Sequence, residues 1–278
     1  MSRCALTSPC SGRAASGAPL KGDVRLMQDL TVAVAVIGFT FLLAGLVKGV
    51  VGMGLPTVAM GLLGLVMPPV QAAALLIVPS LVTNVWQLVA GPRLTALLRR
   101  FATMMFGVCL GSALGIGLLT GGAATLAAAA LGGVLAAYGA IGLISVRFTV
   151  SARSEGWLSP LIGLITGVLT GATGVFVIPA VPYLNSLGLE KDELIQTLGL
   201  SFTVSTVALA IGLVASGQFE ASVAGSSLLA LVPALGGMLL GQRIRDRLHP
   251  EVFRRWFFVG LLVLGTYMVI RALSSAYA

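Results

Sequence analysis

Between residues 30 and 273 the chain runs through one apolar segment after another, and its charged residues gather in the short stretches between them. That alternation limits the possible fold more than any other feature. A run of about 18 apolar residues has the length of a bilayer-spanning helix. In lipid, a single segment satisfies its backbone only by becoming helical. Only 9% of residues are charged and 57% are hydrophobic, against about 25% charged in a typical soluble domain. The chain therefore reads as an all-α polytopic membrane protein. The apolar segments are 30–48, 50–67, 70–90, 101–119 and 124–146, then 157–175, 177–189, 194–215, 223–241 and 253–273.

Two of these runs carry the same interruption. Gly45-x-x-x-Gly49-x-x-Gly52 is followed by Pro56, and Gly167-x-x-x-Gly171-x-x-Gly174 by Pro179. Glycine and proline both continue a long helix poorly. Broken backbone at membrane depth is tolerated where protein or a watery cavity surrounds it, and paired breaks in two halves point to a transporter's binding site. The matching breaks divide the chain into repeats at 29–150 and 151–278. Small-residue faces, Gly107-x-x-x-Gly111-x-x-x-Gly115 and Gly237-x-x-x-Gly241, stand at corresponding places and predict close helix packing.

Charge sets the expected topology. Loops 91–100 (Arg93, Arg99, Arg100), 146–157 (Arg147 and Arg153 against Glu155) and 242–255 (five arginines against Asp246 and Glu251) are basic. Loops 120–123 and 216–222 hold no Lys or Arg. Basic short loops mark the cytoplasmic side. For 91–100 and 242–255 to share a side, region 157–189 must cross twice or not at all. Segment 157–175 is long enough to cross, so 177–189 should complete a second passage. That gives ten elements, five per half, an inverted repeat, and both termini outside. The rival arrangement has eight spans, with 50–67 and 177–189 re-entrant, and places loop 242–255 outside against its charge.

The net charge of +8 sits largely in these loops. Beside anionic lipid it is a topology signal, and it gives no reason to expect nucleic acid. Residues 1–28 lack the apolar core of a signal peptide and read as a disordered or spurious extension, with Met27 the expected initiator. Cys4, Cys10 and Cys109 have neither disulfide nor metal spacing. Cys109, inside a span, reads as a small packing residue, and His249, the single histidine, as a solvated loop side chain. No span contains Asp or Glu, no Walker or HExxH motif is present, and no serine has a histidine in a span to activate it. Catalytic residues, metal and cofactor are accordingly not expected.

The candidate site is built around Lys48, the charged side chain embedded at the first break. A cation at mid-membrane costs at least about 2.5 kcal/mol and is a functional candidate by default, with an anion as its natural ligand. The competing reading is a lysine that snorkels to headgroups. Thr170 occupies the matching position of the second half. Gly49, Gly52, Gly54 and Pro56, with Gly171 and Gly174, would shape backbone turns whose free N–H groups face an oxyanion. Asn84 and Gln87, spaced i and i+3, share a helix face and can donate to anionic oxygens. Ser201 leads a matching hydroxyl-rich stretch with Thr203, Ser205 and Thr206. Plain interhelical hydrogen bonding is the alternative for all of these.

The run Ala44-Gly45-Leu46-Val47-Lys48-Gly49-Val50-Val51-Gly52-Met53-Gly54-Leu55-Pro56, with Pro79-Ser80-Leu81-Val82-Thr83-Asn84-Val85-Trp86-Gln87, resembles the sulfite exporter TauE/SafE family, also called the toluene-sulfonate uptake permease family. The resemblance extends over about residues 30–273. Met53 and Phe176 stand where that family often has glycine. It implies a multi-pass permease of the bacterial inner membrane for sulfite, sulfonates or related carboxylates. The expected function is export by alternating access. Uptake is the alternative, and a non-transporting membrane scaffold or a membrane-embedded enzyme are more distant ones. The implied partners are a small anion and the lipid bilayer, with self-association open.

Overall fold

The computed structural model describes residues 21–144, 149–219, 221–245, 247 and 250–277. The expectations for residues 1–20, including Cys4 and Cys10, and for His249 lie outside the described residues. Contacts divide the chain into a short unit ending at Val36 and a large one from Ile37 onward. Among the described residues the structure is all helical: α1 (Lys21–Val51), α2 (Leu55–Leu63), α3 (Pro69–Val89), α4 (Leu94–Arg100), α5 (Ala102–Thr120), α6 (Ala124–Ile144), α7 (Ala152–Thr173), α8 (Ala180–Ser186), α9 (Lys191–Ala215), α10 (Ala221–Arg245) and α11 (Pro250–Tyr277).

Eight of these helices are long and apolar enough to cross a membrane. The expected segments appear in order, with two refinements. Segment 50–67 contains the nine-residue α2, and 177–189 the seven-residue α8. At 1.5 Å per residue these extend only about 14 and 10 Å, well short of the hydrocarbon thickness. Loop 91–100 carries the short α4, whose basic last turn holds Arg99 and Arg100. Both interruptions are real breaks: α1 ends at Val51 before α2, and α7 ends at Thr173, six residues before Pro179, which precedes α8.

Glycine contacts lock the helices together in pairs. A methyl group on Gly45 of α1 would land on the Ala234 carbonyl of α10, and one on Gly167 of α7 would land on the Val108 carbonyl of α5. The small-residue faces at Gly107–Gly115 and Gly237–Gly241 supply the other sides of these two contacts. Backbones this close gain dispersion and weak Cα–H···O contacts that larger side chains would prevent. The order of contacts makes α1 and α10 parallel, and α5 and α7 parallel. Helices α3 and α9 run antiparallel, with Leu88 beside Gly199 and Asn84 beside Thr206. Helices α6 and α11 are also antiparallel, through Gly132, Gly139 and Gly265.

Proline inside α3 creates a further junction. Pro79 lacks the N–H that would bond the carbonyl of Leu75. Ser227 of α10 donates to that carbonyl at 2.7 Å and accepts from the Val78 N–H at 3.1 Å. One hydroxyl thus repairs the kink and ties α10 to α3.

Polar locks gather at one end. Gln87 donates to the Ile195 carbonyl at 2.9 Å, and Gln196 to the carbonyls of Leu88 (2.9 Å) and Gly91 (2.7 Å). Arg93 pairs with Glu193 at 2.6 Å, and Arg100 is bidentate to Glu155 at 2.7 and 2.9 Å. Its hydrogen bond to Glu155 holds the Arg100 guanidinium above its ordinary pKa. Cys109 corrects an expectation: it is exposed. The packing edge of α5 is the Gly107–Gly111–Gly115 stripe, and Cys109 falls off that stripe onto an outer face.

Candidate substrate site

Lys48 lies in the last turn of α1 and is only 4% exposed. It does not snorkel out of the bundle. Its Nζ donates to Thr83 Oγ1 at 3.0 Å and to Asn84 Oδ1, both on α3. Thr83 spends its own proton on the Pro79 carbonyl at 2.7 Å, which leaves its oxygen free to accept. Asn84 passes the contact on through Nδ2 to Thr206 Oγ1 of α9 at 3.4 Å. Thr206 in turn donates to the Phe202 carbonyl at 2.7 Å. The chain of donors runs in one direction from the lysine, across α3, into α9.

Every acceptor at Lys48 is neutral. The ion pairs among the described residues are Arg93–Glu193 and Arg100–Glu155, and neither involves it. A buried ammonium without a counter-charge is costly, and neutral oxygens offset only part of its lost hydration. An anion beside Nζ would supply the missing counter-charge.

The backbone around it turns through glycine. Gly52 (φ 84°) and Gly54 (φ 109°) take left-handed conformations between α1 and α2, and Gly174 (φ 72°) ends α7 in the same way. Side chains with a Cβ adopt these angles only at a cost. Pro56, buried in the first turn of α2, fits a position where no N–H is needed. Gly49 and Gly171 act differently: they belong to the glycine contacts of α1 with α10 and of α7 with α5. Thr170 is buried and donates to the Thr166 carbonyl at 2.7 Å. Gln87 is committed to the α3–α9 lock, away from the Lys48 contacts.

Ser201 is fully buried, and its hydroxyl has no hydrogen-bond partner. The same holds for Ser80 on α3, Ser205 on α9, Ser112 on α5 and Thr166 on α7. A buried hydroxyl left unpaired costs about 1–3 kcal/mol. Ser112 and Thr166 escaped the sequence reading, because a hydroxyl beside a glycine stripe looks like one more small packing residue. Among the described residues no group of three His, Cys, Asp or Glu side chains can hold a metal ion.

A bundle of apolar helices, two of them interrupted and one interruption carrying a buried cation, is the build of a membrane transporter. Comparison with known proteins agrees: the model of the family described as "Sulfite exporter TauE/SafE" matches residues 37–268. The chain belongs to that family, which consists of transporters and not enzymes. It is 27% identical over 232 residues to a Cupriavidus necator protein described as "Probable sulfite/organosulfonate exporter TauE", across 81% of this chain and 90% of that protein. No solved structure matches it.

Proposed function

We propose that the protein is a secondary permease of the bacterial inner membrane that exports a small sulfur-containing anion, sulfite or an organosulfonate, with related organic acids as the neighbouring chemistry. The observation that carries this reading is Lys48: a buried cation, surrounded by neutral oxygens, at a break in a membrane helix. An anion carrying several oxygens would accept a charge-assisted hydrogen bond from Nζ. The relative's printed description points to the same chemistry.

The mechanism we infer is alternating access between two inverted halves. Asn84 and Thr206, which touch, are separated by 122 residues, the same separation as Gly45 from Gly167. Gly45 meets the Ala234 carbonyl and Met238 amide, and Gly167 meets the Val108 carbonyl and Ser112 amide. Each half therefore sends its broken helix onto a glycine face of the other half. The segments 50–67 and 177–189, with α2 and α8 and the non-helical residues beside them, would complete two further passages. Leu65, after α2, accepts from Arg271 at 2.8 Å near the end of α11, whereas Ser186, at the end of α8, accepts from Val150 at 3.1 Å near the start of α7.

An inside-negative potential favours anion exit by about 2.3 kcal/mol per charge per 100 mV, a force that would drive export without a coupled ion. In proteoliposomes with an imposed potential, sulfite or sulfonate efflux is expected from the wild-type protein. Lys48→Met should abolish it while leaving the size-exclusion profile intact. Undiminished efflux from that variant removes Lys48 from the site.

A further inference from the structure

A second cation stands at the mouth of a cavity that the Lys48 site does not account for. The cavity, of about 620 Å³, lies among the break after α1 (Val51, Met53), the inner face of α6 (Tyr138) and the end of α8 (Asn185, Ser186), with Arg254 of α11 on its wall. That volume is typical of a small-molecule site. Among the described residues, Arg254 is the one charged residue that lines it, and neither ion pair among them uses it. An adjoining cavity of about 480 Å³ shares Arg254 and adds Arg255 and Glu251. Among the described residues, the two cavities together thus present two cations and one carboxylate. At the floor, the Tyr138 hydroxyl reaches Met53 Sδ at 3.4 Å. Through Val51 and Met53 the cavity reaches the break after α1, three residues beyond Lys48 in sequence.

We propose that Arg254 is an anion-docking residue in a vestibule leading to Lys48, and that it takes a sulfonate, sulfite or similar oxyanion before it moves inward. The inference rests on the permease reading above. A guanidinium suits this role: its planar fork binds two oxygens of such an anion at once and stays weakly hydrated. A cleft walled by low-dielectric protein focuses the field of one charge and raises the local concentration of its counter-ion. Arg254 lies in the first turns of α11, where the helix dipole has the same sign. The opposite end of the bundle differs. Its cavity is about 220 Å³, and the arginine there, Arg271, is bonded to the Leu65 carbonyl.

The test needs no transport. Asn185 is exposed on the vestibule wall. In Asn185→Cys protein with Cys4, Cys10 and Cys109 changed to Ser, an anionic ethylsulfonate thiosulfonate reagent should react several-fold faster than its trimethylammonium counterpart, relative to the ratio for a free thiol. Arg254→Gln should abolish that preference, Arg254→Lys should largely keep it, and roughly 0.5 M salt should flatten it, because the Debye length falls to a few ångströms. In proteoliposomes Arg254→Gln should raise the apparent KM for the anion about 3- to 10-fold with maximal flux retained. A reagent ratio unmoved by Arg254→Gln overturns the docking site. A ratio that falls while KM stays put overturns its part in transport. If efflux is absent or survives Lys48→Met, the permease reading fails, and the reagent ratio still decides Arg254 by itself.

Discussion

The two interruptions share their backbone and differ in their chemistry. Each follows a helix pinned by glycines to a helix of the other half, and each turns at a left-handed glycine, Gly52 or Gly174. After the first break comes a nine-residue helix, and before it stands Lys48 with Thr83 and Asn84. After the second, residues 175–179 are not helical, and Thr170 merely returns its proton to its own helix. The duplicated part is what a broken helix needs to exist inside a membrane. The part present once is a charge, and a single buried cation avoids a second desolvation cost.

The largest expected effect tests that division. Efflux should fall at least 100-fold in Lys48→Met and change less than about two-fold in Thr170→Val, because only the first carries charge into the bundle. Equal losses in both would mean the two breaks share the ligand evenly. Asn84→Leu, which leaves the ammonium one acceptor short, should cost flux about ten-fold, the equivalent of roughly 1.4 kcal/mol.

Stability should instead treat the halves alike. Gly45→Val and Gly167→Val each push a side chain into a facing carbonyl, and each should destabilise by about 3 kcal/mol, read as matched drops in thermal midpoint in detergent. A large drop in only one would break the correspondence of the two packing faces. The smallest effect sharpens the turns. Gly52→Ala meets open space and bears only the left-handed penalty, about 1 kcal/mol, whereas Gly174→Ala also meets the Met60 side chain and should cost more. The reverse order of midpoints would contradict the described surroundings of the two glycines.

Much of this was legible in the residues because it rests on local chemistry. Glycine and proline announce a break wherever they fall in an apolar run, and a lysine inside such a run is conspicuous. Lys48 and Asn84 both stand out as site candidates, but their direct contact is not among the expectations. Other features depend on which face of a helix meets which neighbour, and periodicity alone does not say. Gly49 and Gly52 look equivalent on paper, yet one packs against α10 and the other turns the chain. Gln87 shares a face with Asn84 but reaches past the site to Ile195. Arg254 read as a loop charge beside lipid, since nothing local reveals that a cavity opens next to it.

The glycine-on-carbonyl contacts between α1 and α10, and between α5 and α7, carry a mechanical consequence. Side chains can slide past one another by changing rotamer, but interlocked main chains have no such slack. In the alternating access proposed above, each pair would therefore travel as a single strut bearing on α3 and α9, where amide and hydroxyl hydrogen bonds accompany the close Gly199 contact.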